Sequence, residues 1–134
     1  MNLKVDKLLS VFLSLVALHS IVVGLGLILL SSSFFQLLGF EPTCDRFFST
    51  QGGVFHIAMS FCYSAAALNV KRFENFIQFS IIVKFIATVF LVIYHFFISD
   101  KLIIILSGVS DFVMGIVILL LYNNLKKDLY FDKD

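Results

Sequence analysis

Residues 76–98, FIQFSIIVKFIATVFLVIYHFFI, lead into residues 102–122, LIIILSGVSDFVMGIVILLLY, through only Ser99, Asp100 and Lys101. A helix rises about 1.5 Å per residue, so roughly 20 apolar residues cover the hydrocarbon core of a bilayer, and each run is long enough to cross. In lipid every backbone N–H and C=O must be satisfied within the segment, which makes the helix the open-chain solution; both runs are too long for strands. A three-residue link makes the two spans antiparallel neighbours.

Working towards the N-terminus, the same reading finds runs at about Phe47 to Val70 and at Leu8 to Leu30, with a short link, Asn69 to Asn75, before the third span. The chain is 60% hydrophobic and 14% charged, against about 45–50% and about 25% in soluble domains. With a mean hydropathy of +1.01, one proline and 17 phenylalanines, its apolar content exceeds what a core of 134 residues can hide. The expected fold is therefore all-α. It is a single transmembrane domain over residues 1–134, an up-down four-helix bundle with spans at about 8–30, 47–70, 76–98 and 102–122 and a solvated polar tail at 123–134.

The first link, Ser31 to Asp45, is long and carries Phe34, Phe35, Leu37, Leu38 and Phe40 ahead of Glu41 and Pro42, the pattern of a short helix lying in the membrane interface. Lys4 and Lys7 before an apolar run resemble a signal peptide. The run to Leu30 exceeds an h-region and lacks a small-x-small cleavage pattern, so it reads as a retained span. Lys4, Lys7, Lys71, Arg72, Lys126, Lys127 and Lys133 fall on one side, and only Arg46 and Lys101 on the other. The positive-inside rule then puts both termini in the cytoplasm. The bias towards Phe, Ile, Leu and Lys points to an AT-rich bacterial genome, which concerns origin only; the expected location is a bacterial inner membrane.

A net charge of +1 and a pI near 7.8 give no basic field of the kind nucleic acid requires, so that partner class is dropped. Cys44 in a loop and Cys62 deep in a span are too far apart to form a disulfide framework.

Of the ten basic and nine acidic residues, all but Lys84 and Asp111 fall in loops or tails. Counting from the shared loop places Lys84 about 21 Å and Asp111 about 14 Å below the outer face, a difference that a lysine stem can largely cover. An isolated charge at such depth costs about 2.5–3.5 kcal/mol or more, so the two are expected to form an intramembrane ion pair. One reading of the pair is a device that fixes the register of spans three and four; the other is a proton or ligand site.

Polar side chains also recur at helical spacing. Lys84, Thr88 and His95 share a face of span three with Ser80 one turn before, and Ser107, Asp111, Met114, Gly115 and Tyr122 form a stripe on span four. Gln51, His56, Ser60 and Tyr63 do so on span two, and His19 with Ser20 on span one. His19, Gln51, His56, Ser60, Tyr63, Thr88 and His95 form the candidate polar pocket, placed in the outer half where Gln51, His56 and His95 should come near one another. The competing reading is packing. Hydroxyls in membrane helices commonly bond their own backbone, and small residues such as Gly24, Gly52, Gly53 and Gly115 let helices approach. The three histidines lack metal-ligand spacing, and no nucleophile elbow, phosphate loop, CxxC or haem motif occurs, so neither catalytic residue nor metal nor cofactor is assigned.

The order of landmarks resembles a family. His19 to Leu30 in span one, the segment Phe34 to Phe40, Gln51-Gly52-Gly53 opening a span that continues to Tyr63 and Ala65, an intramembrane Lys84, and Asp111 ahead of Gly115 together resemble the small bacterial four-helix membrane proteins of the DoxX-like group. In that group a basic residue commonly precedes the glycine matched by Gly52; here Gln51 stands there. The resemblance implies the fold and membrane location, and members of the group have been connected with membrane redox and quinone-linked complexes.

The leading functional expectation is a non-enzymatic membrane module that binds a small or lipid-like ligand, quinone-like ones included, or a membrane protein partner or second copy, through the outer half of the helices. The rivals are a proton-coupled carrier or channel subunit built on Lys84, Asp111 and His19, and an accessory subunit of a membrane oxidoreductase.

Overall fold

A computed structural model of the chain describes residues 3–41 and 45–131. Every regular element among the described residues is a helix: α1 (Leu3–Leu29), α2 (Ser32–Leu37), α3 (Phe47–Leu68), α4 (Glu74–Phe97) and α5 (Leu102–Lys127). Three of them, α1, α4 and α5, are long and apolar enough to cross a membrane, consistent with an integral membrane protein. The fourth long helix, α3, has 22 residues, and Ser49, Thr50, Gln51 and His56 dilute its apolar character.

α1 and α3 run antiparallel in close contact. Ser10 Oγ donates to the Ala67 carbonyl at 2.6 Å, and two turns or more further on Ser20 Oγ donates to the His56 carbonyl at 2.9 Å. Gly24 and Gly53 mark the closest approach, since a Cβ on Gly53 would stand 2.6 Å from the Gly24 carbonyl oxygen, and one on Gly24 would stand 2.8 Å from that of Gly53. Only residues without a side chain permit this spacing. At the far end the Arg46 guanidinium donates to the carbonyls of Leu27 and Ile28 at 3.2 and 3.1 Å, satisfying acceptors that the end of α1 leaves unpaired. Asp45 accepts the Phe47 N–H at 2.8 Å and starts α3.

α4 and α5 form a second antiparallel pair. Tyr122 donates to Glu74 at 2.6 Å and accepts from Gln78 at 2.8 Å at one end, while Gly108 lies under Leu91 towards the other.

The two pairs meet on one half only. Leu9, Leu13, Tyr63, Ala66, Ile77, Ile118 and Leu125 are almost completely buried and all lie towards the end that carries the chain termini. Along α4 the buried residues are Ile77, Ser80, Ile81 and Lys84, and beyond Lys84 its Thr88 and Leu91 pack on Gly108 of α5. Past this level the pairs part. α2 and the turn after it lie over the gap, and Gly39, at φ +86°, makes that turn in the left-handed region, with the Lys101 stem alongside. The outward faces are apolar, with Leu8, Leu15, Val22, Phe61, Ile86 and Phe90 all exposed, as lipid contact requires.

The boundaries differ most from the sequence reading at two helix ends, the others shifting by two residues at most. α1 reaches back to Leu3 and takes in both N-terminal lysines. The polar tail expected from Asn123 begins later, because Leu125 buries its whole side chain and carries α5 on to Lys127. The chain then turns back, so that the Phe131 ring meets Tyr122 at 5.4 Å and Tyr130 reaches Asp6 at 3.4 Å. Pro42 and Cys44, and the last three residues of the expected tail, lie outside the described residues.

Candidate functional site

Where the pairs part, a cavity of about 770 Å³ opens between α1, α3 and α5 under the cover of α2. Its walls are mostly apolar, with Val23 and Leu27 from α1, Phe35 from α2, and Ile103 and Ile104 from α5. Polar groups gather at two levels. Glu41, Arg46 and Ser49 stand at the end near α2, whereas His19, His56, Ser107, Ser110 and Asp111 stand deeper. Apolar walls with few convergent polar groups are the usual makeup of a small-molecule site, and roughly 300–1,000 Å³ is the usual size.

The deepest polar level coincides with the boundary between packed and parted halves. Lys84 Nζ lies 2.6 Å from Asp111 Oδ1, with the lysine 4% exposed and the aspartate side chain 14% exposed. Gly115 makes room for this, because its Cα faces the Lys84 stem so closely that a Cβ would stand 3.2 Å from Lys84 Cβ. From α3, the Tyr63 ring centroid lies 5.5 Å from the ammonium, adding its negative face to the carboxylate's charge. The cation is thus enclosed by protein, while the anion is shared between the pair and the cavity wall.

The other histidines and hydroxyls are distributed as their helix faces dictate. His19 and His56 both line the cavity, and both imidazoles lie within electrostatic range of Lys84 and Asp111. His56 Nδ1 sits 3.3 Å from Ser20 Oγ, which orients the ring across the α1/α3 seam. Tyr63 is buried below the ion pair, in the packed half. Ser60 donates to the Ile57 carbonyl of its own helix at 2.6 Å, and Thr88 shares its hydroxyl between the Lys84 carbonyl at 2.8 Å and, across the seam, the Gly108 carbonyl of α5 at 3.4 Å.

The expected meeting of Gln51, His56 and His95 does not occur. Gln51 is exposed and outside the cavity wall: five residues separate it from His56, which rotates it about 140° around α3. His95 lies near the end of α4, beyond Lys84, its last buried residue, and its ring packs edge-on against Phe96 with Nδ1 buried and unpaired among the described residues.

Sequence reasoning passed over Arg46, Glu41, Ser49 and Ser110 as site residues. A signal existed for Arg46. The only cation between the first and second expected spans, placed where α3 begins and α1 ends, is suited to the unpaired carbonyls of a helix terminus. For Glu41, Ser49 and Ser110 no sequence signal marks a wall position.

Among the described residues no three His, Cys, Asp or Glu side chains converge as a metal would require. Comparison with protein-family models, with curated proteins and with solved structures finds no match.

Proposed function

We propose that the chain is a non-enzymatic integral membrane module, an up-down bundle whose four long helices all cross the bilayer, and that it binds a small or lipid-like ligand in the cavity between α1, α3 and α5. The observation that carries this reading is the cavity itself, an apolar space of about 770 Å³ ending on a charged pair. The distribution of basic residues favours cytoplasmic termini, which places the cavity in the outer leaflet. A bacterial inner membrane and kinship with the DoxX-like group belong to the same proposal and rest on composition and on the order of landmarks.

The packed half favours binding over transport. Below the ion pair the interior is mostly aliphatic, filled by Leu9, Leu13, Ile77, Ile118 and Leu125 around the buried Tyr63, Ser80 and Tyr122, a close packing that favours a closed floor over a wetted pore for a solute.

The test is to purify the protein in mild detergent and weigh it intact by native mass spectrometry, beside Ser107→Phe. Ser107 is an exposed wall residue, so a phenyl ring there fills the space with little effect on the core. The proposal expects a co-purifying small molecule on the natural protein that is lost from the variant. An identical complement on both proteins overturns it.

A further inference from the structure

We propose that the cavity takes a neutral single-chain amphiphile carrying a free hydroxyl, lodged head-first with the hydroxyl on Asp111 and its chain along the apolar walls. This inference rests on the ligand-binding reading above and adds the chemistry of the occupant.

The floor decides the headgroup. Asp111 Oδ1 is occupied by the Lys84 ammonium, and Oδ2 accepts no bond among the described residues yet is not sealed from the cavity. A head arriving from above therefore meets a carboxylate oxygen, with the compensating cation behind it and 95% covered in terms of its side chain, which is 5% exposed. An anionic head would face that oxygen across a medium of low dielectric, where repulsion is poorly screened. A cationic head would compete with Lys84 for one carboxylate and leave an ammonium without its partner. A hydroxyl does neither. It can donate to Oδ2 and accept from Ser110 or from an imidazole of His56 or His19, residues that all line the cavity and whose side chains carry donors.

The walls decide the rest. About 770 Å³ suits one chain with a small head and is too little for a two-chain phospholipid. The direction of entry follows from exposure: His19, Leu106 and Ser107 line the cavity and are also exposed, so the space opens sideways between α1 and α5. In a bilayer that opening faces acyl chains, from which an amphiphile can slide in.

Binding of oleyl alcohol, oleyl phosphate, oleylamine and octadecene, which share one chain and differ in head, is measured on the protein in nanodiscs by native mass spectrometry. Oleyl alcohol is expected to bind about tenfold tighter than each of the other three, the worth of one or two buried hydrogen bonds. The double variant Lys84→Met/Asp111→Leu removes the polar floor without leaving a lone charge, and there the alcohol should fall to the affinity of octadecene. His56→Phe gives a second, milder loss in the same direction. Preference for the phosphate or the amine, or an alcohol preference that survives in the double variant, overturns the headgroup assignment alone. If no probe binds the natural protein better than it binds Ser107→Phe, the cavity reading itself fails.

Discussion

Asp111 holds the Lys84 ammonium at 2.6 Å through Oδ1 while the same side chain forms part of the cavity wall, so one carboxylate joins the packed half of the protein to its open half. The lysine has no comparable access to the open side. That asymmetry governs what each single substitution does. Removing the carboxylate leaves an enclosed cation with only the Tyr63 ring for company, and removing the lysine leaves an anion that the cavity can still hydrate.

Asp111→Leu should therefore cost about 3–5 kcal/mol, the range for breaking a buried pair by deleting one member. Lys84→Met should cost less, and the double variant Lys84→Met/Asp111→Leu should recover most of the loss, since neither charge then lacks a partner. Unfolding titrated with SDS in mixed micelles reads all four proteins on one scale. Additive losses in the double variant would mean that the two residues act independently and would remove the pair from the structural account.

The seam between α1 and α3 makes a different demand. A Cβ at Gly53 would intrude to 2.6 Å on both the Gly24 carbonyl and the Ile28 side chain, whereas at Gly26 the nearest atom would be Leu30 Cδ1 at 3.5 Å, ordinary contact. Gly53→Ala should destabilise by about 1–3 kcal/mol through overpacking, and Gly26→Ala should be neutral or slightly stabilising in the helix interior. Thermal unfolding followed by far-UV circular dichroism compares them. Equal effects at the two positions would show that helix propensity, and not the close approach, sets the result.

These two sites also mark what the amino-acid sequence makes legible. Long apolar runs identify α1, α4 and α5 because lipid tolerates little else, and Lys84 and Asp111 stand out because charge in such runs is costly. Helix periodicity places Ser107 with Asp111 on one face, and the cavity uses both. Periodicity within a helix does not say which neighbour a face meets, however. The spacing of Gln51 and His56 turns them about 140° apart on α3, and His95 shares a face with Lys84 but lies beyond the last buried residue of α4. The cavity depends on where the helix pairs separate. The shape of each pair is fixed by close contacts such as Gly24 with Gly53 and Gly115 with Lys84, and the packed end by Leu125, and no run of residues read along the chain displays these pairings.

The turn after α5 gives a pH-dependent prediction outside the spans. Burial raises the Tyr130 phenol above its ordinary pKa of 10.0, and the charge of Asp6 and its hydrogen bond to the phenol act in the same direction. Because the folded protein disfavours the phenolate, the contribution of this contact is fully present below the ordinary pKa and is lost as pH rises through the raised one. The contact between the C-terminal turn and α1 should hold at neutral pH and release in strongly alkaline solution. Spin labels at Lys4→Cys and at the exposed turn residue Leu129→Cys, in a background with Cys44 and Cys62 replaced by serine, should report a distance that lengthens above the ordinary tyrosine pKa. In Tyr130→Phe the alkaline step should be absent. A step of equal size in that variant would assign the transition to other groups.

The proposed four-crossing topology turns on α3, the long helix that falls short of the apolar character of α1, α4 and α5. Its polar groups are not bare, since Ser20 covers the His56 carbonyl, Ser60 bonds its own helix, and Gly53 presses on Gly24. Such interhelical bonding and close backbone packing are how membrane helices carry polar residues, and the 22 residues of α3 span about 33 Å, enough for the hydrocarbon core. With both native cysteines replaced by serine, single cysteines at Lys7, Glu41, Asn75, Asp100 and Asn124 are to be labelled in intact cells with a membrane-impermeant maleimide. Glu41→Cys and Asp100→Cys should react at once, and Lys7→Cys, Asn75→Cys and Asn124→Cys only after permeabilisation. The decisive position is Asn75. If it reports on the opposite side from Lys7, α3 returns without crossing and only α1, α4 and α5 span the membrane. The cavity would then lose its outer-leaflet setting, because the antiparallel seam that holds Arg46 and His56 against α1 would no longer run through lipid.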